Sequence, residues 1–210
     1  MNKIDFSTLD AIVRASMSEK RYIHTLGVVK ASEWLAGIFL PDRIDEIRCA
    51  SYLHDIAKEL DGERTAELLP LLDSLDGRYR LTDEDRATSS ALHSFLGAVL
   101  IKERLSEYYT PDIFSAVFFH TLGSHDMSLF ERIVYLSDFI EENRSYSSCR
   151  ETRDFLLSSL NRDMMLEEKI QALNKAVYLT CKFTVESLEK KGLAINSRTL
   201  LTKSAFSSLN

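Results

Sequence analysis

Residues 47–58 read I-R-C-A-S-Y-L-H-D-I-A-K, and this stretch decides how the rest of the chain is interpreted. His54 follows Ala50 by four residues, which places the imidazole on the apolar face of a helix. Asp55 comes next and diverges from His54 by about 100°, so the two side chains can reach neighbouring positions of one site. Lys58 follows Asp55 by about one helical turn, on the same face. The stretch therefore predicts a helix that carries a polar cluster into the protein interior.

Three further histidines and a second aspartate occupy similar positions elsewhere in the chain. His24 precedes apolar residues at offsets of four and seven, and His120 follows apolar residues at the same offsets. His93 lies within the apolar run A-L-H-S-F-L-G-A-V-L, and Asp138 follows apolar residues at offsets of four and eight. A single histidine on a helix is more often a surface or hydrogen-bonded core residue than a metal ligand. Four inward-facing histidines on different helices, together with two carboxylates, indicate a shared site instead.

The composition predicts the fold class. The 210 residues include only seven glycines and three prolines, about 5% together against roughly 12% in average usage. Because so few turn-forming residues leave little room for hairpins, we predict an all-α fold, a single-domain helical bundle over residues 1–210. We predict one mobile loop or lid, at residues 76–86. The predicted helices cover about residues 5–18, 18–39, 42–59, 88–105, 110–120, 127–142, 150–160 and 166–191, with short helices ending near residue 75 and following Ser197.

The charge and the cysteine content limit the partners and the compartment. The formal net charge is −6 and the isoelectric point is near 5.4, whereas a protein that holds nucleic acid through its phosphates needs a basic face. We therefore expect no nucleic-acid partner, although a basic pocket for a small phosphorylated ligand is compatible with this charge. Three widely spaced cysteines form no disulfide framework, and the chain has no long apolar run, so we expect a soluble cytoplasmic protein without a membrane partner.

A buried cluster of this kind requires a cation. A carboxylate on the buried face of a helix is strongly unfavourable unless a cation neutralises it. Imidazole and carboxylate donors without thiolate suit iron, manganese, cobalt or zinc better than calcium or magnesium. Six candidates exceed the needs of one tetrahedral zinc ion, and two ions bridged by Asp55 and a hydroxide would use all of them. The candidate ligands are His24, His54, Asp55, His93, His120 and Asp138.

The order and spacing of these residues resemble the HD-domain superfamily of metal phosphohydrolases. More closely, the chain is similar to the YqeK-type HD proteins, the symmetrical diadenosine tetraphosphate hydrolases of bacteria. The resemblance covers residues 21–144 and is followed by predicted C-terminal helices over residues 150–208. A single adjacent His-Asp pair is a weak indication of this superfamily, whereas several motifs in the same order are specific for it. The motifs are R-Y-I-H-T-L-G-V (21–28), L-H-D-I-A-K (53–58), L-H-S-F-L-G-A (92–98), F-H-T-L-G-S-H-D-M-S-L (119–129) and Y-L-S-D-F-I-E-E-N-R (135–144).

The resemblance implies a dinuclear metal centre, usually of iron, and hydrolysis of diadenosine tetraphosphate to two molecules of ADP. It implies that the six candidate residues are the metal ligands and that Asp55 is also catalytic. Arg21, Lys58 and Arg144 match basic positions of the family and are expected to bind the polyphosphate. Lys58 and Arg144 are expected to act in catalysis as well. The chain departs from the family pattern A-D-Y-I-E-P-x-R at Ser137, Phe139 and Glu142.

Several roles stay open on the sequence alone. Thr121 and Gly123 follow His120 in a turn whose backbone N–H groups can bind phosphate, and an ordinary helix C-cap explains them equally well. His125 is either the acid that protonates the leaving group or an exposed loop residue, and we favour the latter. The alternatives to the implied substrate are another nucleotide (a nucleoside mono- or triphosphate or an alarmone) and a non-catalytic, nucleotide-binding regulator. A homodimer is neither required nor excluded.

Overall fold

Helices make up the regular structure of the chain. The computed structural model describes residues 4–161 and 163–207, and this part contains eleven α-helices, four short 3₁₀ segments and no strand. The predicted all-α fold is confirmed. The α-helices are α1 (Phe6–Ala15), α2 (Glu19–Phe39), α3 (Ile44–Leu53), α4 (Gly62–Leu68), α5 (Asp83–Ala87), α6 (Leu92–Arg104), α7 (Pro111–Phe119), α8 (Leu129–Ile140), α9 (Ser147–Ser159), α10 (Leu166–Lys190) and α11 (Ser197–Ser207). The 3₁₀ segments are Pro41–Arg43, Leu69–Ser74, Gly77–Tyr79 and Ser106–Tyr108.

Polar residues determine where several helices begin. Ser18 caps α2 by accepting a hydrogen bond from a backbone N–H of its first turn at 3.4 Å. Thr110 caps α7 in the same way, and Pro111 occupies the first position of that helix, where its missing N–H has no cost. Ser128 and Glu131 form a capping box at the start of α8. Because these three helices contain or directly precede candidate ligands, the caps help to set the positions of the site residues.

One hydrophobic core joins the helices. α2 packs against α3 and α8, α6 packs against α7, and α7 also contacts α3 and α8. α10 lies against α8, α9 and α11, so the C-terminal helices cover one side of the bundle. Each large apolar side chain buried in this way contributes roughly 1.5–3 kcal/mol relative to exposure. Fully buried members of the core include Leu9, Leu35, Ile47, Leu53, Phe95, Ile113, Phe118 and Phe119.

The helix predicted over residues 42–59 is shorter in the structure. α3 ends at Leu53, and the residues that follow it form tight turns. The backbone N–H of Lys58 donates to the Asp55 carbonyl at 2.9 Å, a bond over three residues that winds the chain more tightly than an α-helix. The prediction of one regular helix through His54 and Asp55 was therefore wrong. These turns bury the two consecutive side chains together.

The segment at residues 76–86, predicted as a mobile loop or lid, packs against the rest of the protein. It contains a 3₁₀ turn and the start of α5. The ring of Tyr79 stacks on that of Phe119, with 5.7 Å between the ring centroids. Asp85 is fully buried and pairs with Arg198 of α11 at 2.9 Å. The sequence pattern missed these contacts because they join the segment to residues that are distant in the chain.

The described part of the chain does not include every predicted boundary. Residues 1–3, 162 and 208–210 of the predicted domain lie outside it, as does the end of the predicted C-terminal helices at residue 208. The first of those helices begins at Ser147, slightly before the predicted residue 150. Among the described residues, no helix is long and apolar enough to span a bilayer.

Candidate metal centre and adjoining cavity

The six candidate ligands meet inside the bundle, although they come from five different elements. Four of them are almost completely buried, and the other two are partly buried. The tertiary structure therefore brings together residues that the sequence analysis selected separately. His24 lies in α2, His54 and Asp55 follow α3, His93 lies in α6, His120 follows α7, and Asp138 lies in α8.

These six side chains form two groups of three. Within each group, one ligand atom from every member lies within 4.8 Å of the others. Three protein donors at this spacing can hold one cation and leave a further coordination position for water or substrate. The first group consists of His24, His54 and Asp138, and the second group consists of Asp55, His93 and His120.

Asp55 belongs to the second group and also faces the first. Its Oδ1 is 3.1 Å from Nε2 of His93 and 3.7 Å from Nε2 of His120. Its Oδ2 is 3.4 Å from Nε2 of His54 and 3.8 Å from Nε2 of His24. One carboxylate oxygen thus faces the histidines of each group. This is the arrangement needed for a carboxylate that bridges two cations.

Backbone carbonyls orient two of the histidines. Nδ1 of His54 donates a hydrogen bond to the Ser51 carbonyl at 2.7 Å. Nδ1 of His120 donates to the Val117 carbonyl, also at 2.7 Å. Both bonds reach back three residues from a histidine that stands just after the end of a helix. With the proton on Nδ1, the lone pair of Nε2 points into the site, as in histidines that bind metals.

Glu141 orients a third histidine and was not predicted from the sequence as a site residue. Its buried carboxylate accepts hydrogen bonds from Nδ1 of His24 at 3.1 Å and from the Asn143 N–H at 2.6 Å. Gly27 makes room for this carboxylate, because a Cβ at position 27 would overlap Oε2 of Glu141. The sequence did contain a signal for this contact. A glycine follows His24 by three residues and an acid follows Asp138 by three residues, and side chains three positions apart lie on the same face of a helix.

The two aspartates remain ionised despite their burial. Burial raises the pKa of Asp55, but His54 and the other nearby imidazoles outweigh it and hold this pKa well below its usual range. Burial also raises the pKa of Asp138, but the Arg144 guanidinium, 2.5 Å away, holds it well below its usual range. For His24, burial lowers the pKa, whereas hydrogen bonds to Asp138 and to the buried glutamate raise it to about 9. Two ionised carboxylates in partly dry surroundings favour a bound cation.

Basic side chains border the same cluster. Arg21 pairs with Oδ2 of Asp55 at 2.8 Å, and Arg144 pairs with Oδ1 of Asp138 at 2.5 Å. Nζ of Lys58 lies 3.1 Å from Nδ1 of His93. Burial lowers the pKa of Lys58 from its ordinary value and lowers that of His93 to about 4. All three basic residues expected from the sequence are therefore at the cluster.

A cavity of about 280 Å³ opens onto this cluster, and we call it the inner cavity. Besides the three basic side chains, it is lined by Phe139, Thr180 and Thr184. Oγ1 of Thr180 is buried and has no hydrogen-bond partner among the described residues. A buried hydroxyl without a protein partner is available to a water molecule or to a polar ligand in the cavity. Both threonines belong to α10, beyond the motifs of residues 21–144, which is why the sequence analysis did not select them.

Of the two residues considered for phosphate binding in the turn after His120, only Thr121 lies at the inner cavity. Thr121 lines the inner cavity, and its Oγ1 lies 3.1 Å from Nε2 of His120. Gly123 is not among the lining residues, and its N–H donates to the Phe119 carbonyl at 2.8 Å with φ at 74°. This is the C-cap alternative, and it leaves no N–H at Gly123 for a phosphate. His125 is exposed and is not among the residues that line the inner cavity.

The donor set fits a divalent metal centre. Imidazole nitrogens and ionised carboxylate oxygens, without thiolate, match the preferences of first-row divalent metals. Nε2 of His54 is buried without a hydrogen-bond partner among the described residues, which suits a nitrogen whose partner is a cation. A cation would also compensate the burial of the two carboxylates.

Comparison with known proteins agrees with the motifs. The sequence profile described as HD domain matches residues 21–143. A relative from Halalkalibacterium halodurans, named symmetrical bis(5'-nucleosyl)-tetraphosphatase, is 30% identical over 152 residues, which cover 71% of this chain and 76% of the relative. A relative of the same name from Bacillus subtilis is 30% identical over 173 residues, which cover 82% of this chain and 86% of the relative. The resemblance inferred from the motifs is confirmed.

A solved structure shares the fold over the full length of both chains. It is described as a predicted HD superfamily hydrolase involved in NAD metabolism from Clostridium acetobutylicum. The TM-score is 0.81 at 29% sequence identity, and the alignment covers 100% of each chain. The likeness therefore includes the C-terminal helices, which lie beyond the matched sequence profile.

Proposed function

This chain belongs to the HD domain family, and we propose that it is a metal-dependent hydrolase that cleaves diadenosine tetraphosphate symmetrically into two molecules of ADP. One observation carries the proposal: two groups of three metal-ligand residues meet at Asp55, a member of one group that also faces the other, beside a cavity that three basic side chains line. A metal centre next to cationic side chains suits the hydrolysis of a polyphosphate. The choice of substrate is supported by the names of the curated relatives.

We propose that the centre holds two divalent ions, with iron as the first metal to test and manganese, cobalt and zinc as alternatives. Each group of three ligands would hold one ion, and Asp55 would contact both through its two oxygens. Such a pair, when bound, supplies acidified water and concentrated positive charge at the reacting phosphate. The hydrogen bonds to Nδ1 of His24, His54 and His120 keep the Nε2 atoms directed toward the ions.

The basic side chains bind and stabilise the polyphosphate. In phosphoryl transfer, negative charge develops on the oxygens of the reacting phosphorus, and catalysis depends on positioning and cationic stabilisation. Lys58 contacts an imidazole rather than a carboxylate, so its ammonium is available to a phosphate oxygen. Arg21 and Arg144 each have five N–H donors and therefore keep donors for phosphate while they pair with an aspartate.

The inner cavity suits one nucleoside of the substrate. Phe139 offers an aromatic ring to the base, and the hydroxyls of Thr180 and Thr184 can bond to the ribose or to the base edge. Thr121 also lines this cavity, beside His120. A nucleoside bound here has its phosphates directed toward the basic residues, because those residues line the same cavity.

Product analysis tests the proposed reaction. The purified protein is incubated with diadenosine tetraphosphate and Fe²⁺, Mn²⁺ or Co²⁺, and we expect ADP to be the sole nucleotide product. The Asp55→Asn variant should release no ADP. The Asp45→Asn variant, which carries the same substitution at an exposed position of α3, should release ADP as fast as the parent protein. Release of AMP with ATP would overturn symmetric cleavage.

A nucleotide panel distinguishes the alternatives that the sequence left open. Nucleoside mono- and triphosphates and an alarmone are assayed under the same conditions as diadenosine tetraphosphate. A much higher kcat/KM for one of them would make that nucleotide the substrate. Tight nucleotide binding without hydrolysis, in a protein with a full complement of metal, would identify the chain as a regulator.

A further inference from the structure

A second cavity lies beside the inner cavity, and most of its lining residues have no part in the proposed site. Its volume is about 860 Å³, and we call it the outer cavity. It is bordered by the N-terminal part of α2 and by the segment at residues 141–146, which leads from α8 to α9. Arg21 and Arg144 line both cavities. Its other lining residues include Lys20, Ile23, Glu59, Asn143 and Tyr146.

The two shared arginines join the outer cavity to the candidate metal centre, four of whose six ligands line the inner cavity. Arg21 pairs with Asp55 of one ligand group, and Arg144 pairs with Asp138 of the other. His24 lines the outer cavity, whereas both aspartates line the inner one. A row of phosphates that runs from one cavity to the other therefore passes the ligand residues of both groups.

The outer cavity has positive charge available to an anion. Lys20 is exposed and contributes an ammonium group. The acids of this cavity already have partners: Glu59 accepts hydrogen bonds from the N–H and the hydroxyl of Ser18 at 2.6 and 2.8 Å, and Glu141 accepts the bond from His24. The basic side chains of this cavity, Lys20, Arg21 and Arg144, outnumber its two carboxylates, which favours an incoming phosphate.

Tyr146 presents an aromatic face at the outer cavity. Its side chain is 73% exposed, although burial of a ring of this size would stabilise the protein. It stands directly before the first residue of α9 and lines the cavity next to the shared arginines. Exposed aromatic rings beside a basic groove stack on nucleobases, whose faces are all suited to this contact.

We propose that the outer cavity binds the second nucleoside of the substrate, with Tyr146 stacked on its base. This inference rests on the proposed function and assigns one nucleoside to each cavity. The centre of the tetraphosphate then lies at the metal centre. Water adds to one inner phosphorus and loses a proton to solvent, the bond from that phosphorus to the central bridging oxygen breaks, and the departing ADP keeps this oxygen. The two-cavity arrangement thus explains why the cut is symmetric.

The test compares two substrates that differ by one nucleoside, diadenosine tetraphosphate and adenosine 5'-tetraphosphate. Tyr146→Ala should raise KM for diadenosine tetraphosphate about tenfold, because one base always occupies the outer cavity. The same variant should change KM, or the inhibition constant, for adenosine 5'-tetraphosphate by no more than about twofold, because its single base can occupy the inner cavity. Tyr146→Phe, which keeps the ring, should behave like the parent protein.

Matched measurements separate this inference from the proposed function. Tyr109→Ala removes a tyrosine that is 36% exposed and is not among the residues lining either cavity, and it should leave both constants unchanged. Thermal melts should show that all variants are folded. Equal losses with both substrates, or no loss with either, would overturn the role of Tyr146 while ADP release by the parent protein would uphold the function. Failure of the parent protein to release ADP would overturn the function and this inference with it.

Discussion

A single methyl group at Gly27 would disturb the metal centre without touching a candidate ligand. A Cβ at this position would lie 2.9 Å from Nδ2 of Asn143 and nearer still to Oε2 of Glu141, whereas ordinary contacts begin at 3.4 Å. The carboxylate would have to retreat by about 1 Å to relieve the overlap. Its 3.1 Å hydrogen bond from Nδ1 of His24 would then be too long to hold the imidazole.

The size of the effect of Gly27→Ala follows from these contacts. Groups that orient metal-binding histidines are typically worth about 10–100-fold in metal affinity or activity, so we expect kcat/KM to fall by such a factor. Loss of the hydrogen bond between Glu141 and His24 costs about 1.5–3 kcal/mol, and the greater helix propensity of alanine offsets roughly 1 kcal/mol of this. The free energy of unfolding of the metal-free protein should therefore fall by about 0.5–2 kcal/mol.

Three measurements on one pair of variants check this prediction. Metal affinity is obtained by titration with Mn²⁺ or Co²⁺, kcat/KM by ADP release, and the free energy of unfolding from urea curves of the metal-free protein. The control is Gly37→Ala in the same helix, where an added Cβ meets no atom within 4 Å. It should keep full activity and gain up to about 1 kcal/mol of stability. A folded Gly27→Ala protein with unchanged metal affinity and kcat/KM would refute the positioning role of Glu141.

Three further results are expected. Asp55→Asn should reduce the metal content below about two ions per chain, because the amide nitrogen cannot coordinate like a carboxylate oxygen, and elemental analysis checks this. Lys58→Ala should lower kcat/KM by about 10²–10³-fold, as for the loss of one transition-state donor, while the same elemental analysis shows unchanged metal content. In the metal-free protein, protonated His24 stabilises the fold fully below pH 6.5, and this contribution is lost as the pH rises through about 9. Urea unfolding in EDTA should show that decline, and a decline of the same size in His24→Gln would contradict its assignment to this histidine.

Local patterns predicted the fold class and most of the polar cluster. Helical spacing placed His54 and His120 on inward-facing positions, and both are buried. The same reasoning extended a regular helix through Asp55, which the structure replaces with tight turns. Spacing along a helix also overlooked Thr180, because its role depends on α10 packing against α8 rather than on a motif of its own.

The amino-acid sequence by itself determined that the chain is helical and which polar residues it places among apolar ones. Both are local properties, set by the scarcity of glycine and proline and by the spacing of apolar residues. Only the tertiary structure decided that the ligands divide into two groups that meet at Asp55, that Glu141 reaches His24 through the space left at Gly27, and that a second cavity adjoins the first. Glu141 and His24 are 117 residues apart in the chain. The distance between such residues depends on how helices cross and pack, and no pattern within a single helix contains that information.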